Sequence, residues 1–205
     1  MILLFQPAEE PGKGAYDVLN DYKFKNIQPD YIFALHNIPG KPLNSVIFVK
    51  NNFSSTVHSV SIHLTGKESH SAQPEQGTNP ALCIAELINK LDKLNNNDVN
   101  SDDFALIIPI YSNMGKKSYG ISAGYGEIHY TLRTRNTARM EKLKTQIDKI
   151  LLNVTKKHRL KFSLKWFDYF PSVVNDKFCN ELIIKAAQKN KLALIEKSSP
   201  FRFGE

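Results

Sequence analysis

The sequence predicts an α/β protein into which a smaller α+β domain is inserted. Two continuously apolar segments, residues 2–5 and 31–35, flank the helical segment GAYDVLNDY, which is the strand-helix-strand order of a parallel sheet. From Thr56 onward, alternating segments follow in the order β-α-β-β-α-β, which is the ferredoxin-like arrangement. After Tyr169 the chain returns to a helix and a short strand. We therefore expect residues 1–54 and 170–205 to be parts of one α/β domain, and residues 55–169 to form the insert.

Each element of the insert has its own pattern. The segment VHSVSIHL alternates as a half-buried strand does. Its histidines His58 and His63, and His129 of a later strand, are expected on the polar faces of their strands. A loop rich in Gly, Ser and Pro leads into a helix over about residues 80–94, with Pro80 in its first turn. FALIIPIY and GEIHYTLR predict the next two strands. NTARMEKLKTQIDKILLNV carries a helical apolar stripe, and KFSLKWF predicts the last strand.

Composition and charge describe an ordinary globular protein. Hydrophobic residues make up 41% and charged residues 23% of 205 residues, and no apolar run is long enough to cross a membrane. The net charge of +7 is spread along helix faces, so we expect neither a nucleic-acid nor a membrane partner. Cys83 and Cys179 lack the spacing of a disulfide framework or a zinc site, which favours a reducing, cytoplasmic setting.

Two adjacent carboxylates, Glu9 and Glu10, follow the first apolar segment. His36 closes the second apolar segment, so all three are expected at the carboxyl edge of the predicted sheet, where α/β proteins bind ligands. Carboxylate and imidazole together suit Zn²⁺ or Mn²⁺ better than Ca²⁺. Two ligands do not make a site, however, and the spacing alone favours a solvated acidic turn and a histidine at a strand end.

Two more residues of the insert are candidates for function. His70 lies in a loop of small residues, where a functional role and a solvent-facing side chain are both ordinary. Arg133 is the last residue of the GEIHYTLR strand and lies on its polar face. An anion-binding role and a surface salt bridge fit this position equally well.

Four motifs together resemble a known family. LLFQPAEEPGKGA, ALHNIPG, TGKESHSAQPEQGTNPA and GEIHYTLRTRN occur in the order found in the zinc-dependent aminoacylase/carboxypeptidase metallopeptidases. The resemblance is strongest to the amidohydrolase branch, which includes hippurate hydrolases and auxin-conjugate hydrolases. It covers nearly the whole chain, and the first and third motifs are specific. It implies a hydrolase that cleaves N-acyl amino acids or short peptides, and an insert that serves as a lid and homodimerisation domain.

The resemblance also implies residue roles. Glu9 matches the general base, Glu10 and His36 match metal ligands, and zinc is the expected metal, with manganese or cobalt as alternatives. His70 matches the lid histidine that stabilises the oxyanion, often in the partner subunit's site. Arg133 matches the arginine that binds the substrate carboxylate. Gly120 departs from the pattern, because the family has a substrate-contacting asparagine there, so the fine specificity is open.

The ends of the chain predict a fragment. The sequence begins inside a predicted strand and stops at SSPFRFGE, and the resemblance implies further metal ligands before Met1 and beyond Glu205. We therefore expect residues 1–205 alone to be inactive. The alternative function is a non-catalytic dimerisation or binding module of ferredoxin-like fold. RNA binding is disfavoured, since the predicted sheet lacks a pair of stacking aromatic residues.

Overall fold

The computed structural model describes residues 2–204. It contains four helices and eight strands among these residues, with two short 3₁₀ turns at Phe24–Asn26 and Pro74–Gln76. The helices α1–α4 are Gly14–Asn20, Ala81–Asp92, Thr137–Lys157 and Lys177–Lys189. The strands β1–β8 are Ser45–Phe48, Thr56–Thr65, Ser69–His70, Ala105–Met114, Ile121–Ser122, Tyr125–Thr134, Lys161–Phe170 and Ala193–Glu196.

The largest unit is a four-stranded antiparallel sheet in the order β4-β6-β2-β7. Helices α2 and α3 cover one of its faces. Alternate side chains of the central strands point toward these helices, so the apolar positions of strands and helices meet in one layer. The buried core combines residues of β2, β6, β4, α2 and α3, among them Ile62, Leu64, Leu87, Ile107, Ile128, Leu132, Leu143 and Leu151.

Every element predicted between residues 56 and 170 is confirmed. The helix predicted over about 80–94 spans Ala81–Asp92, and Pro80 precedes its first residue. The helical stripe predicted from the apolar spacing forms α3, which begins at an Asn136 cap whose side chain accepts a hydrogen bond from the Arg139 amide. The helix and short strand predicted near the end of the chain are α4 and β8.

The predicted strands at residues 2–5 and 31–35 are wrong. Neither segment has strand structure, and their apolar side chains are exposed, as with Phe5 at 85% and Leu35 at 94%. A strand requires backbone partners, and an apolar run in the sequence does not specify one. The parallel pairing that the structure does contain joins β1 to β8, and β1 was not predicted.

The prediction for His58 is also wrong. Its position in β2 is in phase with Val60 and Ile62, so the ring points to the helix-covered face, and only 9% of the residue is exposed. The ring packs 5.0 Å from the rings of both Trp166 and Tyr169. His63 lies on the opposite face, partly exposed beside Glu127. None of the helices among residues 2–204 is long and apolar enough to cross a membrane.

Candidate active site

The two carboxylates lie in a tight turn at residues 9–12, which we call the acidic turn. The Gly12 amide donates a 2.7 Å hydrogen bond to the Glu9 carbonyl, and the Gly14 amide donates a 2.9 Å bond to the Ala8 carbonyl. Gly14 must be glycine, because a Cβ atom there would lie 1.7 Å from the Pro7 carbonyl oxygen. Both glutamates are exposed, so the turn presents two carboxylates to solvent immediately before α1.

His36 contacts Phe203 and Asn37. Its ring stacks on Phe203 with a centroid distance of 4.4 Å, and its Nδ1 lies 2.7 Å from the Asn37 carbonyl oxygen. A carbonyl can only accept, so Nδ1 carries the hydrogen in the neutral ring and Nε2 carries the lone pair. This tautomer gives His36 the nitrogen that a metal ligand needs.

Arg133 lies at the end of β6, opposite Val57 of β2 and Leu106 of β4. The guanidinium is half-buried and donates a 2.7 Å hydrogen bond from Nη1 to the Arg202 carbonyl. Burial lowers the pKa of Arg133, yet a guanidinium remains charged at neutral pH. The remaining donors of its planar fork suit a carboxylate.

A further basic side chain, Lys197, lies near Arg202, whose carbonyl accepts the hydrogen bond of Arg133. Lys197 follows β8 and donates a 3.0 Å hydrogen bond to the Pro200 carbonyl. Its pKa is lowered by burial and also by the charges of Lys41 and Arg202, so both of these cations lie near Lys197. The resulting positive potential favours an anionic ligand.

The acidic turn, His36 and Arg133 lie at one end of the four-stranded sheet. The turn packs on Tyr169 and Phe170, where β7 ends, and His36 packs on Phe203. The segment of residues 201–204 connects them, because the Phe203 carbonyl accepts from the Ser55 amide and the Arg202 carbonyl accepts from Arg133.

His70 lies at the opposite end of the sheet. It pairs with Ile121 in the small β3-β5 ribbon beyond the last residue of β2, and its side chain is exposed. The stretch of β2 from Val57, opposite Arg133, to Thr65 covers about 26 Å at ~3.3 Å per residue. Within one chain, His70 and Arg133 are therefore too far apart to contact one small molecule.

The tautomer of His70 is fixed by its loop. The Ala72 amide donates a 3.1 Å hydrogen bond to Nδ1, which therefore accepts, so in the neutral ring Nε2 carries the hydrogen and is a donor. The Gly120 carbonyl supports the same loop by accepting from the Ser71 amide at 2.9 Å. A Cβ atom on Gly120 would meet nothing within 4 Å, so packing does not require glycine there.

The described residues do not form a complete metal site. No group of three or more His, Cys, Asp or Glu side chains within residues 2–204 could hold a metal ion. Glu10 and His36 are thus at most part of a ligand set.

The sequence patterns do not reveal the role of Phe170 and Phe203, the aromatic residues that contact the acidic turn and His36. Both act through contacts with segments far away in the sequence, which residue periodicity cannot reveal. The available signal was the Pro11-Gly12 dipeptide, which predicts a tight turn and a close backbone approach.

The chain is similar in sequence to a family of peptidases and to individual deacetylases. The profile of peptidase family M20/M25/M40 matches residues 1–205. N-acetyl-L-cysteine deacetylase of Bacillus subtilis (strain 168) is 29% identical over 203 residues, 99% of this chain and 48% of that protein. N-acetyldiaminopimelate deacetylase of Anoxybacillus flavithermus is 26% identical over 193 residues, 92% of this chain and 50% of that protein. The chain thus spans about half the length of the curated relatives it matches.

Solved structures show the same fold. The Bacillus subtilis YXEP protein, described as a dinuclear metal binding peptidase from the M20 family, superposes with a TM-score of 0.74 at 22% identity, covering 98% of this chain and 49% of that one. The aminobenzoyl-glutamate utilization protein of Klebsiella pneumoniae gives a TM-score of 0.66 at 12% identity, covering 80% and 42%.

Proposed function

Because the chain belongs to peptidase family M20/M25/M40, we propose that the complete protein is a metal-dependent amidohydrolase that cleaves the amide bond of N-acyl amino acids or related small amides. The observation that carries this proposal is the gathering of the acidic turn, His36 and Arg133 at one end of the sheet, in a positive environment. The names of two relatives, deacetylases of N-acetyl-L-cysteine and N-acetyldiaminopimelate, support an N-acetylated amino acid as substrate.

Glu9 is the general base of the proposed reaction. An exposed carboxylate in a rigid turn can accept the proton of the attacking water and pass it to the leaving amine. Arg133 binds the substrate's free carboxylate through its planar fork. His70 donates its Nε2 hydrogen to the oxyanion that forms on the acyl group, as its tautomer allows.

Glu10 and His36 would contribute ligands to a divalent metal in the complete protein. Zinc suits a carboxylate and an imidazole nitrogen, and manganese or cobalt would also accept them. When bound, such an ion lowers the pKa of water and polarises the acyl carbonyl. The description of the YXEP protein as a dinuclear metal binding peptidase supports a divalent metal here.

The positions of His70 and Arg133 support a site shared between two chains. We propose that residues 55–169 form an inserted domain of ferredoxin-like topology, serving as lid and homodimer interface between the two parts of the catalytic domain, residues 1–54 and 170–205. The edge strand β4 is the proposed contact, since it exposes 62% of Ile110, 48% of Tyr111 and 40% of Met114. A twofold pairing of this edge would bring His70 of one chain toward Arg133 of its partner.

Complementation between two variants tests the shared site. His70→Ala and Arg133→Ala proteins are unfolded together, refolded as a mixture and assayed on an N-acetyl amino acid at a concentration far below KM, where the loss of either residue lowers the rate. Mixed dimers then contain one intact site of two, so a 1:1 mixture should regain about a quarter of wild-type activity. A mixture no more active than its components would show that both residues act within one chain.

The activity itself is tested on the complete protein with a panel of N-acetyl amino acids and their amidated analogues. We expect hydrolysis that a chelator abolishes and that zinc, manganese or cobalt restores. The alternative, a non-catalytic dimerisation module, is favoured by the open, apolar edge of β4. A complete protein that dimerises but hydrolyses none of the panel would support that alternative.

A further inference from the structure

The acidic turn rests directly on the end of β7. Gly12 has a φ of +67°, and a Cβ atom there would lie 2.9 Å from the Tyr169 carbonyl oxygen and 3.1 Å from Cε2 and Cζ of Phe170. The turn therefore has no room for a side chain at Gly12, and the Phe170 ring forms part of the surface on which it sits.

The same ring contacts a second segment. A Cβ atom on Gly204 would lie 2.7 Å from Cβ and 2.9 Å from Cγ of Phe170. Gly204 directly follows Phe203, whose ring stacks on His36. One phenylalanine thus touches both the segment that bears Glu9 and Glu10 and the segment that holds His36.

A β-bulge places Phe170 in this position. Phe167 pairs with Ser59, so a regular ladder would put Tyr169 opposite Val57, but the register shifts and Phe170 takes that place. Asp168 has a φ of +52°, as expected where the strand bends. As a result Phe170 shares the outer sheet face with Val57, while the Tyr169 ring turns to His58.

We propose that Phe170 is a positioning residue that sets the acidic turn, and with it Glu9 and Glu10, relative to His36. The proposal rests on the proposed function for the roles of these three residues. The packing of Gly12 on Phe170 sets the position of the backbone from which the two exposed glutamates project. A displacement of the turn by about 1 Å can lower the rate on the order of 10²-fold, because catalysis depends on near-attack geometry.

The test compares Phe170→Ala with Phe167→Ala in the complete protein. Phe167 is the matched control, since it lies on the same strand and face but opposite Ser59. We expect Phe170→Ala to lower kcat by about 10- to 100-fold with little change in KM. Zinc affinity, measured by competition with a chromophoric chelator, should also fall in Phe170→Ala. Phe167→Ala should change kcat and zinc affinity by less than about threefold. Phe170→Tyr keeps the ring, so its kcat and zinc affinity should stay near the wild-type values.

Two further measurements distinguish a failure of the Phe170 positioning role from a failure of the proposed function. If Phe170→Ala does not fold, the same comparison is made with Phe170→Leu and Phe167→Leu, which keep most of the apolar volume. Equal kcat and zinc affinity in the Phe170 and Phe167 variants would overturn the positioning role, provided the wild type is active. A wild-type protein without activity on any N-acyl amino acid would instead refute the proposed function.

Discussion

Replacement of His58 by phenylalanine should remove a pH dependence of folding stability that the wild-type chain shows between pH 7 and pH 4. The pKa of His58 is lowered from 6.5 to about 4, chiefly by burial between Trp166 and Tyr169 and also by the charge of Lys144, with a partial offset from Glu141. The folded state therefore favours the neutral ring, whereas the unfolded chain takes up a proton as the pH falls below about 6.5.

The magnitude follows from these two pKa values. Above pH 7 the ring is neutral in both states and the effect is absent. At pH 5 the free energy of unfolding should be lower by about 2 kcal/mol, and at pH 4 by about 3 kcal/mol, with most of the change complete by pH 4. Because other groups also titrate, the quantity to compare is the difference between wild type and His58→Phe at each pH.

Urea unfolding monitored by Trp166 fluorescence measures this difference, since Trp166 is the only tryptophan in the chain and its ring contacts His58. We expect His58→Phe to gain stability over wild type as the pH falls from 7 to 4. Lys144→Met should reduce the wild-type fall, because it removes the second cause of the pKa shift. Parallel pH profiles for wild type and His58→Phe would show that burial of His58 does not cause the pH dependence.

Three other predictions concern the site and the helix pair. In the complete protein, His70→Ala should lower kcat by roughly 10²–10³-fold, measured by steady-state kinetics, because one oxyanion donor is lost. Arg133→Ala should mainly raise KM for substrates with a free carboxylate and spare their amidated analogues. The pKa of Glu86 is lowered to about 2 by hydrogen bonds from Lys157 and His158, so its contribution to stability is present above pH 4.5 and is lost as the pH falls toward 2. Glu86→Gln should therefore lower the thermal midpoint at pH 7 but not near pH 2; equal losses at both would contradict this origin.

The helices and strands between residues 56 and 170 could be predicted because the apolar residues of each recur with a clear helical or strand period. In β2 the apolar residues Val60, Ile62 and Leu64 alternate, and their burial follows directly. The same alternation predicts that His58 is buried, because it lies on the same face of β2 as Val60, Ile62 and Leu64. The polarity of histidine favours the solvent face, but two aromatic neighbours make the buried position favourable for His58.

The two strands predicted before Thr56 rest on continuous apolar runs and not on a period. The apolar runs at 2–5 and 31–35 indicate hydrophobicity but not a pairing partner, and the structure contains the β1-β8 pair instead. Glu9, Glu10 and His36 were expected together from two predicted strands that the structure does not contain, and only the resemblance added Arg133 to the same site. The gathering of these residues depends on contacts such as Gly12 with Phe170 and His36 with Phe203, which join residues more than a hundred positions apart.

In the proposed function, the acidic turn contains a general base next to a metal ligand. Measuring kcat and bound metal for Glu9→Gln and Glu10→Gln in the complete protein tests both roles. We predict that Glu9→Gln keeps its metal but loses most of its kcat, because an amide cannot accept the water's proton. Glu10→Gln should lose metal as well as rate. If Glu9→Gln loses the metal while Glu10→Gln retains it, the two roles are reversed, and if neither change affects kcat, the acidic turn is not the catalytic site.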